Sequence, residues 1–466
     1  MPIRLPAACV LAIVFLPTVL MAQSNNEVNA GVQFDFSLPG ARSLALGGAF
    51  VAMADDATAA WSNPAGLTLL TQKEAAIEGR IWQFNNLVAS RGMAFGPPSG
   101  IGFDTVQGVQ NAESTDSTVS PAFVSFVLPA RRWAVAFYRH QLTNYKATVV
   151  SDGPFIRTTD TRQDPQGEID RAEPFAGDLD LKIADYGAAF AVKVNDAFSV
   201  GGTIALYDFS FLSHNNRTRY VPIAAPPIAT RPLFTGAGQR FGPPDFSSAN
   251  TARILTQSGD DQTVGFNVGV LLKQPKWAVG GAFRQGPDFK INSNYVRGAA
   301  EPPSGTLVVP DKEVPFAVPD AYAAGFSVRP VDPWVISFEY DRVMYSQLSD
   351  NNVEVLGLVE GNPQLGADIT NGLRFPDSNQ IRLGTEYAQV LGKRTLLYRI
   401  GGWYDPDHRL RYEGDLQRLL VLYQPGEDQF HIAPGFGVAF PRGQVDVAVD
   451  LSQRVKTVAF STVFRF

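Results

Sequence analysis

The sequence predicts an all-β fold: a 14-stranded antiparallel transmembrane β-barrel with a small N-terminal segment held in its lumen. Three observations carry this. Long runs alternate strictly between apolar and polar residues, short turns alternate with long connections, and the chain closes on an alternating run that ends in Phe466. Period-2 alternation places one side chain set on each face of a strand. Even strand number, short turns on one rim and long loops on the other are the pattern of a bacterial outer-membrane barrel.

Taken in order, residues 1–22 read as a secretory signal peptide: Arg4, an apolar run from Leu5 to Met21 interrupted by Pro6 and Pro17, then the small Ala22. Cys9 precedes the apolar core and is the only cysteine, so the mature chain has no disulfide framework and no thiolate metal site. Loss of Arg4 takes the formal charge from −6 to −7. A mildly acidic chain gives no electrostatic footprint for nucleic acid.

Residues 23–72 lack clean alternation and are rich in Ala and Gly. Asp56 is placed to cap a short helix from Ala57 to Ser62, and Asn63-Pro64 ends it as a turn. Gly66 supplies a backbone angle that other residues resist. The heptad WSNPAGL, residues 61–67, therefore separates a compact small-residue segment from the strands. About fifty residues without a core of their own must dock on something, and the lumen is the available place.

Residues 73–466 are assigned to the barrel. Strands are expected near 73–84, 119–128, 131–142, 181–193, 197–210, 262–273, 276–287, 320–329, 333–346, 379–390, 394–404, 428–440, 443–453 and 456–466. In PWVISFEYDRVMY, Trp334, Ile336, Phe338 and Tyr340 share one face while Ser337, Glu339 and Asp341 share the other. NQIRLGTEYAQ sets Ile381, Leu383, Thr385 and Tyr387 against Arg382, Gly384 and Glu386. Val445, Val447, Val449 and Leu451 oppose Asp446, Ala448 and Asp450. The connections alternate between tight turns and stretches of roughly 23 to 51 residues. Three strands open alike after their tight turns, at Trp133, Trp277 and Trp334, as an interfacial aromatic girdle requires.

Chemistry is scarce. Four histidines, His140, His214, His408 and His431, occur without a G-x-S-x-G elbow or an H-E-x-x-H helix, and Gly47-Gly48 lacks the Lys and Ser/Thr of a phosphate loop. No enzyme, cofactor or metal is expected. Asp185, Arg329, Glu339, Asp341, Arg382, Glu386, Arg399, Asp446, Asp450 and Arg465 are expected to face the lumen, where mixed charges pair across strands. His431 is expected there too, with no partner visible. The connection 211–261 carries Phe211, Phe234, Phe241 and Phe246, and 288–319 carries Phe316. Apolar residues on this scale exceed what solubility requires, which makes these five phenylalanines candidate substrate contacts.

GARSLALGGAFVAMADDATAAWSNPAGL, together with the strand count and the terminal Phe466, resembles the N-terminal hatch of FadL-type outer-membrane transporters of long-chain fatty acids and aromatic hydrocarbons. The family's Asn-Pro-Ala motif is matched by Asn63, Pro64 and Ala65. The resemblance implies hydrophobic small molecules as cargo, capture by the two apolar loops, and passage past the hatch. It also implies residence in the bacterial outer membrane among lipid and lipopolysaccharide, and assembly by the barrel assembly machinery. In fatty-acid transporters an inward kink of the third strand opens a lateral exit, but RWAVAFYRHQL contains neither Gly nor Pro to make one. The hatch wording is as similar to the PorV branch, whose barrels shuttle secreted proteins. A secreted protein partner is the alternative expectation.

Overall fold

The computed structural model describes residues 26–29, 31–32, 34, 36–95, 97–98, 105–157, 169–218, 220–223, 240–247, 251–297, 308–348 and 372–466. The expected signal peptide, Cys9 and Phe234 lie outside them. Fourteen antiparallel strands form a closed ring. They are β1 (Glu74–Arg91), β2 (Gln110–Pro129), β3 (Trp133–Ser151), β4 (Phe175–Lys193), β5 (Phe198–Thr218), β6 (Thr251–Lys273) and β7 (Trp277–Arg284). The ring continues with β8 (Ala321–Val331), β9 (Trp334–Val343), β10 (Ser378–Leu391), β11 (Arg394–Asp405), β12 (Gln429–Phe440), β13 (Gly443–Asp450) and β14 (Val455–Arg465). Each pairs with its sequence neighbour. Closure comes from β14 on β1, registered from Glu74↔Arg465 to Phe84↔Val455. Phe466 adds one further bond, its N–H to the Lys73 carbonyl at 3.0 Å. Closing the ring leaves no free edge strand, the condition for crossing lipid with strands.

The alternation read from the sequence is the register of the wall. Phe338, Tyr340, Ile381, Leu383, Val445, Phe460 and Phe464 are exposed on the outside, while Glu339, Asp341, Arg382, Asp446 and Asp450 are buried within. Trp133, Trp277 and Trp334 are exposed at the first position of their strands, just past the short-turn rim. Nine of the ten charges expected inside are buried or half-buried. Arg329 is the exception. A register shift between Val328 and Val331 ends the alternation there, and its side chain is exposed at the rim, donating to the Asp332 carbonyl at 3.0 Å.

Strands β1 to β6 are longer at their outer ends than the apolar alternation suggests. In β2 the first ten residues, QNAESTDSTV, are exposed or half-buried, so no apolar face marks them although the backbone ladder to β1 continues. Phe211 accordingly lies in β5 and not in a loop. A separate hairpin, Asp288–Arg297 with Val308–Ala317, extends β7 and β8 outward and carries Phe316. Pro287 and Pro319, which bring no N–H to a ladder, stand where the hairpin meets these strands.

Residues 36–70 pack within the lumen. A short helix α1 (Asn26–Asn29) precedes them, and within them helices α2 (Ala41–Ala45) and α3 (Ala59–Ser62) and a 3-10 turn (Pro64–Leu69) are joined by irregular backbone, with α2, α3 and the turn almost wholly buried. Asp56 does not cap α3 directly. Its carboxylate takes the N–H of Thr58 at 2.9 Å and its hydroxyl at 2.5 Å, one step ahead of the helix. Gly66 is required for space and not for its angle: an added Cβ would lie 1.9 Å from the Ala54 carbonyl oxygen.

Candidate functional site

The heptad WSNPAGL is the seat of the lumenal segment. Asn63 is fully buried, and its Nδ2 donates to the Val51 carbonyl at 2.8 Å and to the Val270 carbonyl of β6 at 3.1 Å. Its Oδ1 meanwhile accepts the Ala65 N–H at 3.2 Å, capping the 3-10 turn. One amide thus joins two parts of the segment and the wall. Trp61 packs between His140 of β3, with ring centroids 4.2 Å apart, and the Arg284 guanidinium of β7, 4.7 Å from the indole. His140 is held by Asp185 of β4 at 2.9 Å.

Seven strands offer a glycine to the segment at the contact. Cβ atoms added at Gly201, Gly269, Gly280, Gly325, Gly384, Gly401 and Gly435 would fall between 2.1 and 2.6 Å from segment atoms spanning Ala45 to Ala65. Real Cβ atoms do not approach so closely. At Gly201, Gly280, Gly384 and Gly401 wall backbone meets segment backbone directly, and at Gly269, Gly325 and Gly435 it meets the side chains of Asn63, Val51 and Ala45, a close approach that only glycine allows. On β9, between two of these strands, Glu339 does the equivalent work. Its Oε2 accepts the N–H groups of Phe50 and Val51, both at 2.7 Å. Glu78 of β1 accepts the Gly40 N–H at 2.7 Å and Ser461 of β14 the Ala41 N–H at 3.0 Å.

The inward charges pair across strands and also reach the segment. Arg399 bridges Glu386 and Asp446, both at 2.6 Å, and Glu386 turns to Arg42 of α2 at 3.0 Å. Arg42 also holds Asp55 at 2.7 Å. Asp341 pairs with Arg382 at 2.5 Å. Removing one member of such a buried set leaves an uncompensated charge.

Above the segment the lumen is open. A cavity of about 80 Å³ lies between Phe34 and Phe36 on one side and Tyr345, Trp403, His408 and His431 on the other. His431 does have a partner, Asp450 at 2.9 Å, and stacks on Trp403 at 4.0 Å. His408 stacks on Tyr345 at 4.1 Å. A second cavity of about 200 Å³ sits nearer the mouth under helix α4 (Gln417–Leu422), lined by Leu87, Val88, Phe175 and Val421. A smaller one between Phe84, Val88, Tyr145 and Val149 shares Arg409 and Arg454 with both.

This smaller cavity lies behind an interruption in the wall. Strand β2 pairs with β1 along its whole length, but with β3 only from Phe123↔His140 to Pro129↔Ala134. Beyond these pairs, residues 110–122 and 141–151 face each other without a ladder. Both strands change register at this height: Ala122 is left over against β1 and Leu142 against β4. Pro121 sits in the bulge and has no N–H to give. A bulge bends its strand and ends pairing locally. The opening absent from the expected third-strand kink thus arises from a proline one strand earlier and a bulge at Leu142, neither of which needs glycine. Side chains replace the lost bonds: Thr118 donates to the Asn144 carbonyl at 2.7 Å, Ser120 to Gln141 at 3.3 Å, and Asp116 accepts the Thr148 N–H at 2.8 Å.

Of the candidate phenylalanines, the structure brings Phe211 and Phe316 together, 5.3 Å apart, inside the barrel. They share an aromatic cluster with Phe209 and Phe289, stacked at 4.4 Å, and with Phe34, 6.3 Å from Phe316. Phe246 is half-buried beyond β5 and apart from this cluster, and the Phe241 side chain lies outside what the structure describes. Phe34, Tyr345, Pro121, Arg409 and Arg454 were not singled out from the sequence. Only Pro121 carried a readable signal, a proline inside a strand pattern. Among the described residues no three His, Cys, Asp or Glu side chains group as a metal site.

A closed barrel with an inward-docked N-terminal segment, cavities above it and a break in the wall defines an outer-membrane channel protein. The chain belongs to the outer membrane protein transport family described as OMPP1/FadL/TodX, whose model matches residues 158–458. Its fold is that of a Pseudomonas aeruginosa FadL homologue (TM-score 0.59, 14% identity, 93% of this chain and 99% of that one). It is also that of the Ralstonia pickettii toluene transporter TbuX (TM-score 0.54, 15% identity, 93% and 99%) and the P. putida toluene transporter TodX (TM-score 0.53, 13% identity, 93% and 99%). No curated protein matches the chain. Nothing in these matches supports the secretion-shuttle alternative.

Proposed function

We propose that this chain takes up hydrophobic compounds, long-chain fatty acids or aromatic hydrocarbons, at the outer face of the outer membrane. Cargo enters the mouth cavity, passes into the chambers above the hatch, and leaves sideways between β2 and β3. One observation carries the reading: the β2–β3 ladder stops at Phe123↔His140 while the hatch is packed directly on wall glycines. The route of least rearrangement is through the wall. Two structural relatives are named toluene transporters, which agrees with an apolar cargo.

The test closes the gap. Cys9 is the only cysteine in the sequence, so Ser120→Cys with Gln141→Cys gives a pair of thiols that a short bifunctional reagent can bridge. Uptake of radiolabelled oleate or toluene into cells is expected to fall on cross-linking and to recover when a cleavable linker is reduced. Uptake unchanged by complete cross-linking would rule out lateral release.

A further inference from the structure

We infer that Arg139 is the latch of the wall gap: a guanidinium on the lipid face that stands in for the backbone donors β2 and β3 do not offer each other, and that swings away when the gap opens for cargo. The inference rests on the lateral-release reading and names the residue that controls it. Arg139 belongs to the outward-facing set of β3, with Trp133, Val135 and Phe137. Its ladder neighbours, Val124 of β2 and Tyr186 of β4, are both exposed on the outside. At about 3.3 Å per residue it stands roughly 20 Å along the strand from the girdle Trp133, within the apolar band of the wall. A charge at this depth is costly and is kept where it has a partner or a task. No carboxylate pairs with Arg139 among the described residues. What it meets is the foot of the gap.

Arg139 lies one residue below the last β2–β3 pair, Phe123↔His140. Its guanidinium reaches up past that pair and donates to the Pro121 carbonyl of β2 and to Oε1 of Gln141 on β3. Both acceptors adjoin the residues left over at the two register shifts, Ala122 and Leu142. Gln141 is buried, and its Nε2 donates to the Thr143 carbonyl at 2.6 Å and to the Ile183 carbonyl of β4 at 3.0 Å. Its amide is thereby fixed to the β3–β4 side and presents Oε1 towards β2, where Ser120 also donates to it at 3.3 Å. Arg139 joins this anchored oxygen to the bulge on the opposite strand.

The chemistry suits a joint that opens. In hydrocarbon a carbonyl that loses its ladder partner has no water to turn to, so a closed gap needs a donor at this height. A guanidinium brings several N–H groups and makes charge-assisted bonds. It also sits on a flexible stem, so it lets go by side-chain rotation while the β2–β3 pairs below stay intact. A further ladder pair would hold the edges as well, but only by removing the opening. Behind the gap lies the small cavity lined by Tyr145, Ala147 and Val149, which the latch separates from lipid.

The experiment puts one thiol behind the gap, Ala147→Cys, in the full-length protein in lipid vesicles, and follows its labelling by a long-chain alkyl maleimide dissolved in the bilayer. Ala147 is buried and lines the small cavity, so the reagent meets it from the lipid when the gap is open. Adding Arg139→Leu is expected to raise the labelling rate about tenfold, the scale of one charge-assisted hydrogen bond. Gln141→Leu, which removes the anchored acceptor, is expected to raise it similarly, and the two together no further than either alone. Arg139→Lys is expected to restore part of the closure, and Phe137→Leu, two residues lower on the same face, to leave the rate unchanged. Heat-modifiability checks that each variant is a folded barrel. Equal labelling with and without Arg139, or rates that multiply in the double variant, would overturn the latch. Toluene uptake separates the two readings. Faster labelling without Arg139, beside uptake that ignores the cross-link between positions 120 and 141, keeps the latch and removes lateral release; unchanged labelling, beside uptake that the cross-link abolishes, removes the latch alone.

Discussion

Glu339 of β9 accepts the backbone N–H of Phe50 at 2.7 Å, so a carboxylate belonging to the wall terminates inside the hatch. The same oxygen takes the Val51 N–H. Glu339→Ala leaves the Val51 N–H without its partner and the Phe50 N–H with only the Gly48 carbonyl, 2.8 Å away, and an unpaired buried donor costs about 1–3 kcal/mol. The hatch is expected to exchange its amide hydrogens faster around residues 48–53 while the outer strands β2 to β6 stay protected. Equal protection in the variant and the wild type would show that this contact does not hold the hatch.

Asn63→Ala removes both donor bonds and the cap of the 3-10 turn. The expected loss is about 1–3 kcal/mol of local stability, read as faster exchange over residues 58–69 and as protease cleavage near Pro64 in folded barrels. Asn63→Asp keeps the cap but not the donors, so it is expected to protect the turn while still loosening its contact with β6.

Gly401→Ala forces a Cβ to within 2.2 Å of the Gly47 nitrogen, whereas a Cβ at Gly79 meets nothing within 4 Å. The first is expected to lower the unfolding temperature and release the hatch; the second is expected to be neutral within about 0.5 kcal/mol. Similar melting of the two variants would mean that the glycine contacts are not tight in the folded protein.

Phe338→Arg places a charge on the lipid face at mid-strand and is expected to cost about 2–4 kcal/mol, while Leu391→Arg near the rim costs about 0–1. Both side chains are exposed, on the outward-facing positions of their strands. Urea titration in lipid vesicles gives both numbers. Ser337 is no neutral control for this comparison, because its side chain is buried against the interior and reaches the Gly384 carbonyl at 3.4 Å.

His408 gives the mouth a pH dependence. Burial disfavours its proton, but the Asp405 charge and hydrogen bond, with the Pro406 carbonyl, outweigh that and raise its pKa above the ordinary 6.5. A raised folded-state pKa contributes stability that is complete below about 6.5 and is lost as pH rises through the folded value. Docking of residues 406–409 on Tyr345 is therefore expected to weaken at alkaline pH. Hydrogen exchange of this connection, measured from pH 5.5 to 8.5 after correction for intrinsic rates, tests it. His408→Gln is expected to remove the trend.

The membrane-spanning part of each strand was legible because lipid on one side and a polar interior on the other impose opposite polarity on successive residues. Trp334 to Asp341 shows this in eight residues. The outer ends of β1 to β6 were not legible, since above the membrane water meets the outer face and Glu113 or Thr115 can stand where Val124 or Phe126 must be apolar. The hatch position was readable from Asn63-Pro64-Ala65, but its partners were not: Val270 and Glu339 lie more than two hundred residues away in sequence. The wall gap was missed because its cause is split between Pro121 and Leu142, on different strands. Phe211 and Phe316 were sensed as unusual apolar residues, yet their meeting point inside the barrel depends on the lengths of β5 and the outer hairpin.

The glycines that touch the hatch bear on the order of assembly. Seven strands bare of side chains at the contact, pressed on atoms of a segment that runs from Ala45 to Ala65, leave no clearance for it to be threaded in after the ring has shut. The N-terminal segment then serves as a mandrel: the strands wind around it, and the seam between β14 and β1 zips last over a filled bore. A chain deprived of residues 36–72 would have to close over empty space, and the ring it formed would be a hollow pipe with a smooth throat.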